Sequence, residues 1–598
     1  MYLSRIRIEN FRNFSHFDVQ LTGNVVVVGE NRVGKSNLLH ALRLIFDPAL
    51  PDSARQLSLA DFWDGLGQPE SSDKIVVSVE INDFEGDTDV LALLTDYRLD
   101  DDPNTVRLNY EYRPKPDLND APGAEADYEF ILYGGENESK HFGHELRRKI
   151  TMDVLPALRD AEGDLGAWRR SPLRPLIEEA FREIDSTELQ KIGETIATAT
   201  EEVLKFKQVK SLEKDIRTLF AEMSGPYQNI DPTLGFAPSD STRLYRSIRL
   251  LVDGGERGIS EASLGSANLI FLSLKELEIR QLIKVNARDH TLLAIEEPEA
   301  HLHPQLQRSV YRHLFASVKG DEPLSVFLTT HSPHIASVTP LRSLVLLRDT
   351  ENDGTVGRST ASLSLTEDEA ADLTRYLDVT RAEMLFARGV ILVEGDAERF
   401  LMPVFAEKLG NQFDQLGITV CSIGGTNFQP YVKFLCGLGI PFAVITDWDP
   451  RENDKRPLGA NRAIGLVSII ADLTTGKPPP AIIQTLAVEK KWHQFDKKCE
   501  EFGVFTGAHT LEVDLFNEDD DFRNAVIQSL REGPFGKERK SWIDGWEANP
   551  DSLHVEKYLS LIEAMGKGRF AQRLAGRVAT LYPPAYIAEA IKFVANRV

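Results

Sequence analysis

The stretch Gly29-Glu30-Asn31-Arg32-Val33-Gly34-Lys35-Ser36 constrains this chain most. It reads Gly-x4-Gly-Lys-Ser and has the context that such a loop needs. The apolar run Val25–Val28 before it predicts a buried strand, and Asn37-Leu-Leu-His-Ala-Leu-Arg-Leu-Ile after it predicts a helix. The glycines let the backbone curl so that its N–H groups and the helix N-terminus converge on an anion. Lys35 is placed for the β/γ-phosphates and Ser36 for Mg²⁺. Gly29, Asn31, Gly34, Lys35, Ser36 and Asn37 are the expected nucleotide-binding set.

A chain of 598 residues predicts more than one domain. No apolar stretch approaches the ~20 residues that span a bilayer, and the polar N-terminus lacks a signal-peptide core. Cys421, Cys436 and Cys499 form no C-x2-C pair, which argues against structural zinc and fits a reducing cytoplasm. The expectation is a cytoplasmic protein without a membrane partner. A net charge of −24 is awkward for a nucleic-acid enzyme: either DNA is not the substrate, or the basic surface is local and the acidic excess, to which metal-binding carboxylates contribute, lies elsewhere.

Alternation over Leu3–Glu9 and Phe17–Leu21, around Asn10-Phe11-Arg12, predicts two strands before the loop, and 74–82 and 105–113 predict further antiparallel strands. From about 160 to 225 apolar residues recur at three and four, as in helices, before the chain returns at Leu244–Val252 to the second half of its first domain. Thr291–Glu299 is an apolar strand ending in Glu296-Glu297, followed by Ala300-His301-Leu302-His303-Pro304. Glu296 suits the Mg²⁺ shell and Glu297 suits polarising an attacking water. A second apolar strand, Val326–Thr330, ends at His331, and Ser263-Leu-Gly265-Ser266 opens a helix. Together these resemble ABC-type ATPases of the SMC and RecF kind. The resemblance implies that His331 contacts the γ-phosphate. It also implies that Ser263 and Gly265 bind the γ-phosphate of a partner subunit, so that complete sites need a dimer. Such ATPases also carry a metal-sensing glutamine, for which Gln56 is a candidate, although a glutamine in a loop is more simply read as surface.

A different pattern follows. Gly389–Val393 predicts a parallel strand leading into Glu394-Gly395-Asp396-Ala397-Glu398, and Pro441–Thr446 predicts another leading into Asp447-Trp448-Asp449. Parallel strands of one sheet deliver their C-terminal ends to one crevice, so Glu394, Glu398, Asp447 and Asp449 form a hard-oxygen cluster suited to Mg²⁺. Crowded carboxylates without cations repel one another, so a metal is expected. Ser422–Phe428 supplies a glycine turn between the strands. Thr510–Leu515 reads as a strand offering Glu512 and Asp514, and Gly566-Lys567-Gly568-Arg569 opens a helix whose Lys567 could neutralise a phosphate. The set resembles the Toprim domain of topoisomerases, primases and certain nucleases.

An ABC-like ATPase followed by a Toprim domain resembles the OLD (overcoming lysogenisation defect) nucleases, and the late stretches look most like the Gabija-type subgroup often encoded beside a UvrD-like helicase. The implied fold class is α/β: an ABC-type ATPase with a mixed sheet and a helical insertion, then a Rossmann-like Toprim domain with its own helical insertion. The expected division is 1–160 ATPase first half, 161–235 helical insertion and dimerisation element, 236–375 ATPase second half, and 376–598 Toprim domain with an insertion around 451–505. The resemblance implies ATP-regulated, two-metal hydrolysis of DNA, with one Mg²⁺ beside ATP and two Mg²⁺ or Mn²⁺ ions at the Toprim site. Metal ligands would be Glu394, Glu398, Asp447, Asp449 and Glu512, with Asp396 and Asp514 in reserve; Glu297, His331 and Lys567 would be catalytic. Implied partners are DNA, further copies of the chain in a dimer or tetramer, and a UvrD-like helicase; the implied role is phage defence. Rivals are strand passage, which needs a separate tyrosine domain and leaves Tyr558 and Tyr582 as candidates, priming, which usually needs a cysteine-rich zinc module, and an ATP-driven DNA clamp or repair protein with a non-cleaving Toprim scaffold.

Overall fold

The computed structural model describes residues 1–598 except 119–121, 158–159, 225–231, 235–245, 247, 318–321, 351, 453–454 and 478–480. The chain forms two compact units: residues 1–155, 290–299 and 303–598, and residues 156–289 with 300–302.

The first unit begins with β1 (Tyr2–Phe11), β2 (Phe14–Gln20), β3 (Val25–Gly29), β4 (Ile75–Asn82), β5 (Val106–Pro114), β6 (Tyr128–Gly134) and β7 (Ile150–Leu155). The second unit contributes the small hairpin β8 (Leu251–Val252) and β9 (Arg257–Gly258). The first unit resumes with β10 (His290–Glu296), β11 (Leu324–Thr330), β12 (Leu344–Thr350) and β13 (Gly354–Ser359). One large mixed sheet runs β6-β5-β4-β1-β2-β13-β12-β3-β11-β10-β7. Its neighbours β12, β3, β11, β10 and β7 pair in parallel, whereas β1, β2, β4, β5 and β6 pair antiparallel. Composition explains the split. β3 is Val-Val-Val-Val-Gly and buried throughout, as a parallel strand covered on both faces must be, whereas β1 alternates. The parallel strands deliver Gly29, Glu296 and Thr330 to one edge of the sheet.

A second sheet contains β14 (Gly389–Val393), β15 (Ile418–Ser422), β16 (Phe442–Thr446) and β17 (Val504–Thr506), all parallel, in the order β15-β14-β16-β17. Helices Asp396–Lys408 and Gln429–Leu438 make the crossovers. Between β16 and β17 lie helices Leu458–Thr475, Ala481–Val488 and Trp492–Glu500. Trp492 and Phe495 close edge-on around Trp448, with ring centroids 5.0 and 6.2 Å away, and pin the last of these helices to the Asp447–Asp449 loop. Residues 478–480 of the insertion expected around 451–505 lie outside the described residues.

The expected strand at 510–515 is a helix, Leu511–Glu518. Its alternation of apolar and acidic residues mimics a half-exposed strand, yet Leu511 through Phe516 are all buried. Glu512 and Asp514 are buried because each has a polar task, so the period of two does not report solvent. Of the return expected at Leu244–Val252, residues 244, 245 and 247 lie outside the described residues, 248–250 form no strand, and Leu251–Val252 is β8.

The second unit carries helices Ala161–Gly166, Leu173–Arg182, Ser186–Leu204, Lys207–Ser224 and Leu264–Lys284. Phe206, in the turn between Ser186–Leu204 and Lys207–Ser224, and Leu219 and Met223, near the far end of the latter helix, are 60, 58 and 80 % exposed, large apolar side chains that a solvated helix pair does not need. Ser263 caps the last helix, its hydroxyl accepting from the Ser266 amide. Gly265 is required by packing: a Cβ there would stand 2.6 Å from the His301 carbonyl oxygen. Among the described residues no helix is long and apolar enough to cross a membrane.

Candidate functional site

The phosphate loop leaves β3 through Gly29 and enters helix Lys35–Phe46 through Gly34, whose φ is +87°. Gly34 has a second reason to be glycine, since a Cβ would lie 2.0 Å from the Asn13 side chain. Asn13 donates to the Val33 carbonyl and the Thr355 hydroxyl, while Asn37 donates to Asn13 and accepts from Arg12. The Asn10–Asn13 turn therefore supports the loop. Lys35 is buried, and its Nζ donates to the carbonyl oxygens of Gly29 and Glu30 at 3.0 and 2.7 Å. Burial draws its pKa down to about 8, although Glu297, Glu299 and Glu30 pull the other way.

Glu296 ends β10, in register with Thr329 of β11. Glu297 follows in the left-handed region, φ +41°, a conformation that an L-residue adopts at some cost. His331 Nε2 lies 3.6 Å from Glu297 Oε1, and burial, then Lys35, lowers the His331 pKa. Glu299 was not singled out in the sequence, yet it orders this corner. Its carboxylate accepts from the His331 amide at 2.6 Å and from the Thr330 hydroxyl at 2.8 Å. Lys35, Glu297 and His331 are thus brought together. Ser263 and Gly265 belong to the second unit. Gln56 donates to the Tyr128 carbonyl, a tie within the antiparallel part of the sheet.

The second cluster gathers at the C-terminal edge of the four-stranded sheet. Glu394 follows β14 and Asp447 follows β16, and the two strands pair from Val390↔Phe442 to Leu392↔Val444. Glu394 accepts from the Thr446 hydroxyl at 2.5 Å and from the Asp447 amide at 3.0 Å. The Gly424-Gly425 turn secures it from behind, the Gly425 amide donating to the Glu394 carbonyl. Glu398 is buried in the first turn of its helix, where its carboxylate accepts from the Gly395 amide. Asp447 accepts from the Leu511 amide at 3.1 Å, so the unexpected helix presents its positive end to the cluster and Glu512 comes with it. Glu512 is 2 % exposed and lies 3.4 Å from Lys567 Nζ. Asp449 also has a left-handed backbone, φ +48°.

Asp514 goes elsewhere. Its carboxylate accepts from the Ala508 amide and braces the 507–509 turn, and burial pushes it up to about 6. Tyr558 is fully buried and donates to the Glu512 carbonyl, so its oxygen supports a helix and is not presented to DNA.

Two cations stand among the acids. Lys567 was expected; Arg462, on helix Leu458–Thr475, was not. Arg462 donates to the Thr446 hydroxyl at 2.9 Å, the Asp447 carbonyl at 2.6 Å and Asp449 Oδ2 at 2.7 Å, and lies 3.3 Å from Glu394. The sequence signal is that Arg462 is the only charged residue in Leu458–Ala471. Burial first, then Glu394, Glu398, Glu512 and Asp449, push Asp447 up to about 9. Burial, then Glu512 and Glu394, push Glu398 up to about 7. Burial alone would lower Lys567, but Glu512, Asp447 and Glu398 hold it above its ordinary value. Among the described residues no three acidic, histidine or cysteine side chains form a finished metal cage. The acids are fanned around Arg462 and Lys567, yet their negative charge exceeds what those two cations offset. An all-oxygen, over-charged donor set fits hard divalent cations.

Comparison with known proteins bears on both halves. An AAA ATPase domain family matches residues 1–154 and 171–336, more than half of the chain. The family described as overcoming lysogenization defect protein-like, TOPRIM domain, matches residues 385–449. The chain is 28 % identical over 477 residues to the OLD nuclease of Thermus scotoductus, covering 76 % of this chain and 83 % of the relative. It is 23 % identical over 572 residues to Endonuclease GajA of Bacillus cereus, covering 89 % and 91 %. Among solved structures, the C-terminal region of the Burkholderia pseudomallei OLD protein is 38 % identical, covering 35 % of this chain and 98 % of that one, with a TM-score of 0.30. The chain belongs to the AAA ATPase domain family, whose match spans more than half of it, and carries an overcoming lysogenization defect protein-like TOPRIM domain over residues 385–449.

Proposed function

We propose that this protein is an ATP-binding, divalent-metal-dependent DNA endonuclease, and that its ATPase regulates cleavage at the Toprim cluster. One observation carries the reading: the carboxylates of Glu394, Glu398, Asp447, Asp449 and Glu512, from two strand ends and two helices, converge with Lys567 at a sheet edge, and a scaffold has no need to keep mutually repelling acids together. Nuclease relatives that span three quarters or more of the chain support it.

Glu394, Glu398, Asp447, Asp449 and Glu512 would hold the metal, with room in the donor set for two ions. Such ions, when bound, supply an activated water and stabilise the departing oxygen. The protein's own groups supply the rest. Lys567, half-exposed beside Glu512, meets a phosphate from the solvent side and offsets charge that develops on it. Arg462 fixes the end of β16 and the Asp449 carboxylate. The Leu511 amide orients Asp447.

At the other site Gly29, Asn31, Gly34, Lys35, Ser36, Asn37 and Glu296 would bind ATP and one Mg²⁺. Glu297 would take the water's proton, and His331 would face the γ-phosphate. Ser263 and Gly265 would serve a neighbouring copy. The exposed apolar side chains Phe206, Leu219 and Met223 on the helical pair support a homo-oligomer. Three free cysteines fit the cytoplasm. A phage-defence role, and a helicase partner, rest on the family resemblance.

An end-labelled duplex incubated with Mn²⁺ and the wild type, Lys567→Ala or Glu512→Gln protein tests the reading. Each substitution should slow cleavage by about 100-fold or more, the usual scale for removing a charge-stabilising group. Cleavage unchanged in both variants would refute it.

A further inference from the structure

The phosphate loop is tied to the nuclease strand by one residue. β3 ends at Gly29 and pairs there with Leu347 of β12. The next residue on each strand reaches the same target. Glu30 forms a two-pronged ion pair with Arg388, Oε1 to Nε at 2.8 Å and Oε2 to Nη2 at 2.9 Å. Arg348 Nη2 donates to the Arg388 carbonyl at 2.8 Å and Nη1 to the Gly439 carbonyl at 3.4 Å. Arg388 directly precedes β14, whose five buried residues run straight to Glu394. Its amide donates to the Gly417 carbonyl, and Gly417, with φ +66°, lies against the aliphatic stem of Arg388. Arg388 is thus gripped by the ATPase at its head and carbonyl and built into the Toprim sheet at its amide.

This bridge borders a cavity of about 650 Å³ lined by Gly29, Glu30, Arg348, Arg388 and Val598 among others. Polar links beside open space can rearrange in a way that a packed core cannot. The loop also contains the element that would move them. Lys35 donates to the carbonyl of Glu30, the same residue whose side chain holds Arg388. A phosphate that recruits Lys35 takes it from that carbonyl and reshapes the loop at Glu30.

We propose that Arg388 is a positioning residue that couples nucleotide at the phosphate loop to Glu394 at the Toprim cluster, through Glu30 at one end and β14 at the other. This rests on the nuclease reading above only for its consequence in cleavage. The test uses the full chain in three forms: wild type, Arg388→Gln and Arg388→Lys. Amide exchange is followed at 389–398 and at 29–37, with and without a non-hydrolysable ATP analogue, and plasmid nicking is measured in parallel.

In the wild type the analogue should alter exchange in both segments and change the nicking rate by about fivefold or more, the scale of ordinary coupling. In Arg388→Gln the response at 29–37 and the ATPase rate should persist, while the response at 389–398 and the nucleotide effect on nicking disappear. Arg388→Lys keeps the charge and should recover part of both. An equal response at 389–398 in wild type and Arg388→Gln overturns the proposal, as does no response there in the wild type. Absent nicking with a normal exchange pattern would instead remove the nuclease reading and leave the link standing.

Discussion

Replacing Arg462 with alanine offers a quantitative test of the carboxylate cluster. The side chain is 17 % exposed and makes three hydrogen bonds, of which the one to Asp449 joins two charges. A hydrogen bond to a charged group contributes about 1.5–3 kcal/mol and an ordinary one about 1 kcal/mol. Asp449 is 32 % exposed, so water takes up part of the loss and the lower end applies to that bond. Removing the cation also leaves Glu394 and Asp447 facing each other with less compensation. The sum is about 2–4 kcal/mol of stability without metal, in line with breaking a partly buried ion pair. Urea unfolding in EDTA measures it. In saturating Mg²⁺ the deficit should shrink, because bound ions supply the missing positive charge. A loss below about 0.5 kcal/mol in EDTA, smaller than a single net hydrogen bond, or a deficit that grows with Mg²⁺, would refute this account of Arg462.

Other consequences are independent of that one. Asp447, pushed up to about 9, must release a proton to bind a cation, so apparent Mg²⁺ affinity should rise up to about tenfold per pH unit from 7 towards 9 and then level; calorimetry showing a flat profile would contradict this. Burial pushes Asp496 up to about 6, so its ionisation opposes folding. The penalty is absent below the unfolded value near 4, develops between 4 and 6, and is complete above 6. Asp496→Asn should therefore stabilise the protein by about 2 kcal/mol at pH 7.5 and by little at pH 4, read from urea midpoints. Glu299→Ala strands the His331 amide and Thr330 hydroxyl, and should destabilise by about 2–4 kcal/mol while lowering ATPase turnover; unchanged turnover would separate Glu299 from the His331 corner.

Much of this architecture was legible because local chemistry and global position agree. The Gly-Lys-Ser loop, the Glu296-Glu297 strand end and the Glu394 and Asp447 strand ends each combine an apolar run with a polar terminus. A parallel sheet turns that pattern directly into a shared edge. The helix at Leu511–Glu518 was misread because buried carboxylates imitate a solvent-facing period. Arg462 and Glu299 went unnoticed for a related reason. Each acts by hydrogen bonds to residues distant in sequence, and no spacing rule reports such a partner. The Glu30–Arg388 bridge, spanning most of the chain, is of the same kind.

The most direct measurement is conversion of supercoiled plasmid by the wild type and by Asp447→Ala, with Mg²⁺ or Mn²⁺ and with EDTA, in the presence and absence of ATP. Metal-dependent nicking by the wild type, abolished by EDTA and by the substitution, is the predicted result. Equal nicking by both proteins, or none by either under all conditions, would contradict the assignment of cleavage to the Toprim cluster.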